Sequence, residues 1–371
     1  MTQNTARRRA PRPALLARLV ALIIPLVLIG LFLILRGDPV IAQRAEENIA
    51  APLRDILARV TSFGPLRYIS VSEILIAAYV VWAAAAFIAL IAALIRRKAR
   101  LTAVLRHLAL LVTVAAWVLS LFSWTWGIGY NTPTLAQETG LVRDGVATED
   151  LFHVTALFAE RASALSREVP RDGEGRFAAS LDDILAGSAS VYDGIQAEFS
   201  ALSGRAYPPK PMVFSKLMSY LGFTGVYYGF TGEANVNVDQ PALSIPFTIA
   251  HEMAHQRGVH SEDEANFASI AACITSGDAV YAYSGYFSGL IYLSGALYRA
   301  DPEAWRALAE TISPEVWRDM EDHYAYWERF ETPAAEAASA VYDNYLKSQG
   351  QTLGVQSYGA CVDLLVAWLA G

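Results

Sequence analysis

The sequence predicts a mainly α membrane protein, with three N-terminal transmembrane helices followed by a mostly helical domain that carries a short sheet. Three observations predict it. The chain has 371 residues, is 54% hydrophobic and has a mean hydropathy of +0.30, above the soluble norm. Three long uncharged apolar runs precede Tyr130. After Tyr130 charges return, such runs stop, and apolar residues recur at helical spacing. The expected division is a membrane domain over residues 1–129 and a second domain over 130–371, large enough to bury its own core.

Each run is long enough to cross a bilayer, which takes about 20 apolar residues. Residues 19–35 hold the first, with Pro25 inside it, for a span of about 15–36. Its apolar stretch exceeds the core of a signal peptide, and "LRGDPV" after it lacks the small-residue pattern of a cleavage site, so it reads as an anchor. Residues 74–95 hold the second, for a span of about 72–95. Residues 108–126 hold the third, for a span of about 107–126, with Trp124, Trp126 and Tyr130 where amphipathic rings favour the membrane interface. Arg7, Arg8, Arg9, Arg12 and Arg18 precede the first span, and Arg96, Arg97, Lys98, Arg100 and Arg106 lie between the second and third. Positive flanks stay cytoplasmic. The expected protein is therefore a multi-pass protein of the inner (plasma) membrane, with the bilayer as one partner and the domain after Tyr130 outside the cytoplasm.

The net charge of −7 excludes chain-wide affinity for nucleic acid. Two cysteines, Cys273 and Cys361, exclude a disulfide framework and a Cys-rich zinc site. They read as buried free thiols, with a single bridge as the alternative.

In the second domain, "ATEDLFHVTALFAERASALSREV" has helical spacing with Thr148 as a possible N-cap, and "SLDDILAGSASVYDGIQAEFSAL" reads the same way. "RAYPPKPMVF" is a proline-rich break. "GEANVNVDQPALSIP" predicts one or two short strands near residues 234–238. "DAVYAYSGYFSGLIYLSGALY", over 278–298, is apolar but interrupted by Gly and Ser. It reads as a buried helix, with a fourth span as the alternative. "SPEVWRDMEDHYAYWERF" predicts an amphipathic helix.

His251, Glu252 and His255 form H-E-x-x-H. On a helix, residues four apart share a face, so both imidazoles can address one ion. Ser244 and Pro246 make a helix start, Gly258 a stop with Arg257 in the last turn, and Ile249, Met253 and Ala254 would face a core. Neutral imidazoles suit Zn²⁺, and a catalytic zinc site takes three protein ligands. Glu252, beside the first histidine, is the expected catalytic base. The third ligand has three candidates. His260 falls one residue short of the position that H-E-x-x-H-x-x-G-x-x-H would require, which holds Ser261. Glu264 forms S-x-x-E with Ser261, a capping box that would give it a structural task. Glu262 is favoured. It follows the Gly258 turn, and Asn266, one helical turn later, can orient a ligating side chain.

The stretches "GFTGEANVNV", "FTIAHEMAHQRG", "SEDEANFAS" and "SYGACVDLL" resemble a bacterial family of unknown function, made of membrane proteins with a zincin-like extracytoplasmic domain. The resemblance implies a zincin-like α+β fold for residues 130–371. More distantly, the chain resembles glutamate-type zincins, in which a ligating Glu is followed four residues later by Asp. Here Glu262 takes the first place, Asn266 stands at the second, and the gap from His255 is shorter. Zincins also suggest an edge strand for the substrate, for which "ANVNV" is the candidate, and an oxyanion donor, for which Tyr358 and His323 are candidates.

The function expected is a membrane-anchored zinc metallopeptidase acting on a peptide or protein. Its alternatives are a metal-dependent hydrolase of another amide, such as one in the cell wall, and a non-catalytic zinc-stabilised domain that binds a partner.

Overall fold

The computed structural model describes residues 12–95, 101–141, 146–354 and 360–370. Tyr358 and the arginines at 7–9 and 96–100 lie outside the described residues. The chain is mostly helical, with 72% helix against 4% strand. It divides into two compact units, Met1–Ala50 with Leu75–Thr132, and Ala51–Ile74 with Pro133–Gly371. The segment between the first two apolar helices thus belongs with the later unit.

Among the described residues, three helices are long and apolar enough to cross a membrane: Leu16–Leu35, Val71–Ala92, which begins in the second unit, and Val104–Thr125. The first and third pack on each other through an exchange the sequence explains. Pro25 has no N–H, so it cannot bond the carbonyl four residues back, that of Ala21. The indole of Trp117 donates to that carbonyl instead, at 2.8 Å, and Trp124, two turns on, donates to Leu28 at 3.0 Å. A membrane interior has no water to satisfy such a carbonyl, so a neighbouring helix must. Trp126 donates to the Tyr130 hydroxyl at 3.0 Å.

The second unit is built on the helix Ala279–Ala300, whose N-cap is Asp278. It packs on Thr148–Leu165, on Glu262–Thr275 and on Ser244–Gln256. Two of its glycines, four residues apart, permit this closeness. A Cβ on Gly285 would lie 2.5 Å from Cβ of Cys273, and one on Gly289 would lie 2.2 Å from the Phe158 ring. The Gly and Ser interruptions are thus packing contacts, and the segment is a buried core helix. Cys273 and Cys361 are buried free thiols.

A three-stranded sheet lies beside the helices. β1 (Lys210–Pro211) runs parallel to β3 (Glu233–Val236), and β2 (Gly225–Tyr228) runs antiparallel to it. The order is β1-β3-β2. "ANVNV" therefore belongs to the central strand, fully buried, and not to an edge. The outer strand on the antiparallel side is β2.

Two other expectations are corrected. Residues 181–202 do not form one long helix. Leu181–Gly187 gives way to the 3₁₀ turn Ser188–Ser190, then to non-helical turns over 191–198 and a second 3₁₀ turn, Ser200–Leu202. Gly194 lies against the Thr275 carbonyl, a closeness no Cβ would permit, so tertiary packing overrides the helical spacing there. Thr148 is the first residue of its helix, Ala147 is the N-cap, and no side chain caps it.

Candidate metal centre

The helix Ser244–Gln256 carries H-E-x-x-H with both histidines buried. Arg257 ends it, and Gly258, at φ +90°, turns the chain in a conformation that favours glycine. After Ser261 a second helix, Glu262–Thr275, begins. A straight continuation would carry Glu262 about 10 Å beyond His255 along the axis. The turn instead brings Glu262 Oε2 to 3.8 Å from His255 Nε2 and 3.1 Å from His251 Nε2. Among the described residues, His251, His255 and Glu262 form the one group of three or more such side chains with metal-ligand spacing. Their ligand atoms all lie within 4.8 Å of one another.

The surrounding hydrogen bonds test whether this group fits a cation. His255 Nδ1 faces the Val259 carbonyl at 2.6 Å. A carbonyl can only accept, so Nδ1 carries the hydrogen and the neutral ring presents its Nε2 lone pair to the cluster. His251 Nδ1 lies 2.9 Å from Asn266 Oδ1, and Asn266 Nδ2 faces the Tyr292 hydroxyl at 3.4 Å. With that amide orientation His251 likewise presents Nε2, directly at a carboxylate oxygen. Lone pairs converging on one point need a positive centre between them. The donor set fits a divalent ion, with Asn266 and the Val259 carbonyl orienting the ligands from behind.

The electrostatics agree. Burial alone would raise the Glu262 carboxyl, but the His251 hydrogen bond, both imidazoles and the Tyr342 hydroxyl outweigh it and hold it at about 2. Burial lowers His255 to about 4. Burial opposes a proton on His251, yet Glu262 raises it above its ordinary value. A proton on His251 is what a bound cation would replace.

Glu252 stands apart from the ligands. Burial pushes it up to about 8. Gly225 at the start of β2 lies so close that a Cβ there would sit 2.4 Å from Glu252 Oε1, so any larger residue would displace the Glu252 side chain. Oε2 is buried with no hydrogen-bond partner among the described residues.

The other sequence candidates separate. Glu264 makes no capping box, and Ser261 has no side-chain cap bond. Its carboxylate instead accepts the backbone N–H groups of Leu135 and Ala136, each at 2.9 Å, at the start of the short helix Leu135–Thr139. His260 is buried outside the ligand group, and its carbonyl accepts from Gln351 at 3.5 Å. His323 is not brought to the cluster. Its Nδ1 lies 3.1 Å from Ser244 Oγ, two helical turns, or about 10 Å, before His251. Burial lowers His323 to about 4. An unfolded histidine takes a proton near pH 6.5. Stability from keeping it neutral is therefore whole above about pH 6.5 and falls until about pH 4, by up to about 3 kcal/mol. Thermal melts over this range should fall less steeply for His323→Gln than for the wild type. Parallel pH profiles would contradict it.

Tyr342 was not legible in the sequence. It lies on the helix Pro333–Ser348, and its hydroxyl donates to Glu262 Oε1 at 2.6 Å across 80 residues of chain. It thereby fixes the carboxylate that offers Oε2 to the cluster. Tyr342→Phe is expected to weaken metal affinity about 10–100-fold in a chelator competition titration. Unchanged affinity would remove Tyr342 from the support of Glu262.

The family model described as "Protein of unknown function (DUF3810)" matches residues 47–366, which include His251, Glu252, His255 and Glu262. The chain belongs to the DUF3810 family. The match takes in the second and third apolar helices of this DUF3810 protein as well as His251, His255 and Glu262. Comparison with curated proteins and with solved structures found no match.

Proposed function

We propose that the chain is a membrane-anchored zinc-dependent metallopeptidase, with its second unit outside the cytoplasm at the inner (plasma) membrane. The observation that carries this is Glu252. It is a buried carboxylate beside a ligand histidine, outside the ligand group, with one oxygen unpartnered among the described residues. A purely structural site has no use for such a group. Two imidazoles and one carboxylate are a donor set of catalytic zinc sites. Zinc bound there would supply Lewis acidity and lower the pKa of water towards neutrality. Glu252 Oε2 would accept a proton from the attacking water and return it to the leaving amine. A nearby dication would also draw the Glu252 pKa down from about 8, towards the range in which a base works at neutral pH.

The placement of β2 favours a peptide as substrate. It is an outer strand, its first residue touches Glu252, and Tyr227 on it packs near His255 with ring centroids 6.3 Å apart. An extended chain can add to such an edge through main-chain hydrogen bonds. The orientation rests on the arginines that flank the apolar runs.

The test uses the purified full chain in detergent with an unfolded protein substrate and with isolated cell-wall fragments. Peptide cleavage that a chelator stops and zinc restores is expected. Cleavage of the cell-wall amides alone would replace the peptidase with the other hydrolase. A metal-loaded chain that cleaves neither would leave a partner-binding domain.

A further inference from the structure

We propose that the second unit carries a membrane-interface surface of its own. Two loops, residues 63–69 with the 3₁₀ turn Gly64–Tyr68 and residues 213–217 where the short helix Ser215–Tyr220 opens, gathered around the first turn of the helix Val71–Ile95, would seat in the headgroup region of a lipid bilayer. This goes beyond the peptidase and does not depend on it.

The two loops are held together by buried polar groups. Glu73, in the first turn of the helix, accepts the backbone N–H groups of Val213 and Phe214 at 2.9 and 2.8 Å. Lys210, wholly buried, donates to the carbonyls of Thr61 and Leu66 at 2.9 and 2.5 Å. Glu233 of β3 accepts from the backbone of Val71 and Ser72 at 3.1 and 2.8 Å. Ser70 and Ser72 both donate to Asn235 Oδ1. The start of the helix is therefore fastened to the sheet, with both loops beside it.

The apolar side chains of the same loops point the other way. Val213 is 85% exposed, Phe63 80% and Tyr68 71%, and Phe214, Leu217 and Ile69 are also exposed. Single exposed apolar residues are ordinary. A group of this size, with Glu73, Lys210 and Glu233 turned inward beneath it, marks a binding surface.

The length of the helix identifies the occupant. Its 25 residues rise about 37 Å, roughly one turn more than the about 30 Å of a hydrocarbon core. Among the described residues, none of its most apolar stretch is buried. The spare turn is the one that carries Glu73, which is buried in the second unit. A bilayer around the helix thus begins at that turn, and the loops bonded to it lie at the headgroup level. Their chemistry suits that level. Tyr68 has Arg67 over its ring at 5.2 Å, and Lys216, exposed between Phe214 and Leu217, lies over the Phe330 ring at 4.7 Å and pairs with Asp239 at 3.3 Å. Aromatic and long basic side chains favour this zone.

The test reads depth, not activity, so its failure is distinct from failure of the peptidase. Phe63→Cys, Val213→Cys and Phe214→Cys, each in the full chain, are labelled with an environment-sensitive dye and reconstituted into phosphatidylcholine vesicles with a spin-labelled acyl chain as quencher. All three positions are exposed, so the changes leave the core intact. Val341→Cys, 71% exposed on the helix Pro333–Ser348, is the aqueous control. Cys273 and Cys361 are buried, and the parent chain reports any labelling of them. Quenching several-fold stronger at the loop positions than at residue 341 is expected, with shielding from aqueous iodide. Quenching at the loop positions no stronger than at residue 341 would overturn the proposal.

Discussion

Glu252→Gln is expected to keep the bound metal while hydrolysis falls by a factor of at least about 10². Glutamine is nearly isosteric and fits the contact that Gly225 makes with this side chain. It has no basic oxygen to take a proton from water. The ligand atoms of His251, His255 and Glu262 belong to other side chains, so metal content should not change. Activity within a few-fold of the wild type, measured on the same substrate, would remove Glu252 from the chemistry.

Glu262→Ala is expected to release the metal, whereas Glu264→Ala retains it and melts at a lower temperature. The two carboxylates are two residues apart and both buried, yet they face different partners. Glu262 Oε2 meets both imidazoles. Glu264 accepts the backbone N–H groups of Leu135 and Ala136. Removing Glu264 strands two buried N–H groups, at about 1–3 kcal/mol each. Removing Glu262 takes away the one anionic ligand. Metal retained by Glu262→Ala and lost by Glu264→Ala would reverse the assignment.

What the sequence revealed and what it hid follow from how local each feature is. H-E-x-x-H was readable because a helix places residues four apart on one face, and the Gly258 turn pointed to Glu262 and Asn266. The three apolar runs were readable because composition alone marks them. The task of Glu264 was misread because S-x-x-E is a local pattern, while its partners lie 129 and 128 residues away. Tyr342 and Gly225 were invisible for the same reason: one tyrosine and one glycine among many acquire their places only from tertiary packing. "ANVNV" was recognisable as a strand, but its central place depends on β1, which lies inside the stretch read as a proline-rich break, pairing with it. Pro25 was seen only as a residue inside the first apolar run. Its consequence, an indole from the third apolar helix on the carbonyl it leaves open, required the partner helix.

The most direct test of the metal centre is the metal content of the purified full chain after loading with zinc and removal of the excess. Wild type is measured beside Glu252→Gln and Glu262→Ala. About one ion per chain is predicted for wild type and for Glu252→Gln, and close to none for Glu262→Ala. Equal metal in all three, or none in the wild type, would contradict a centre formed by His251, His255 and Glu262.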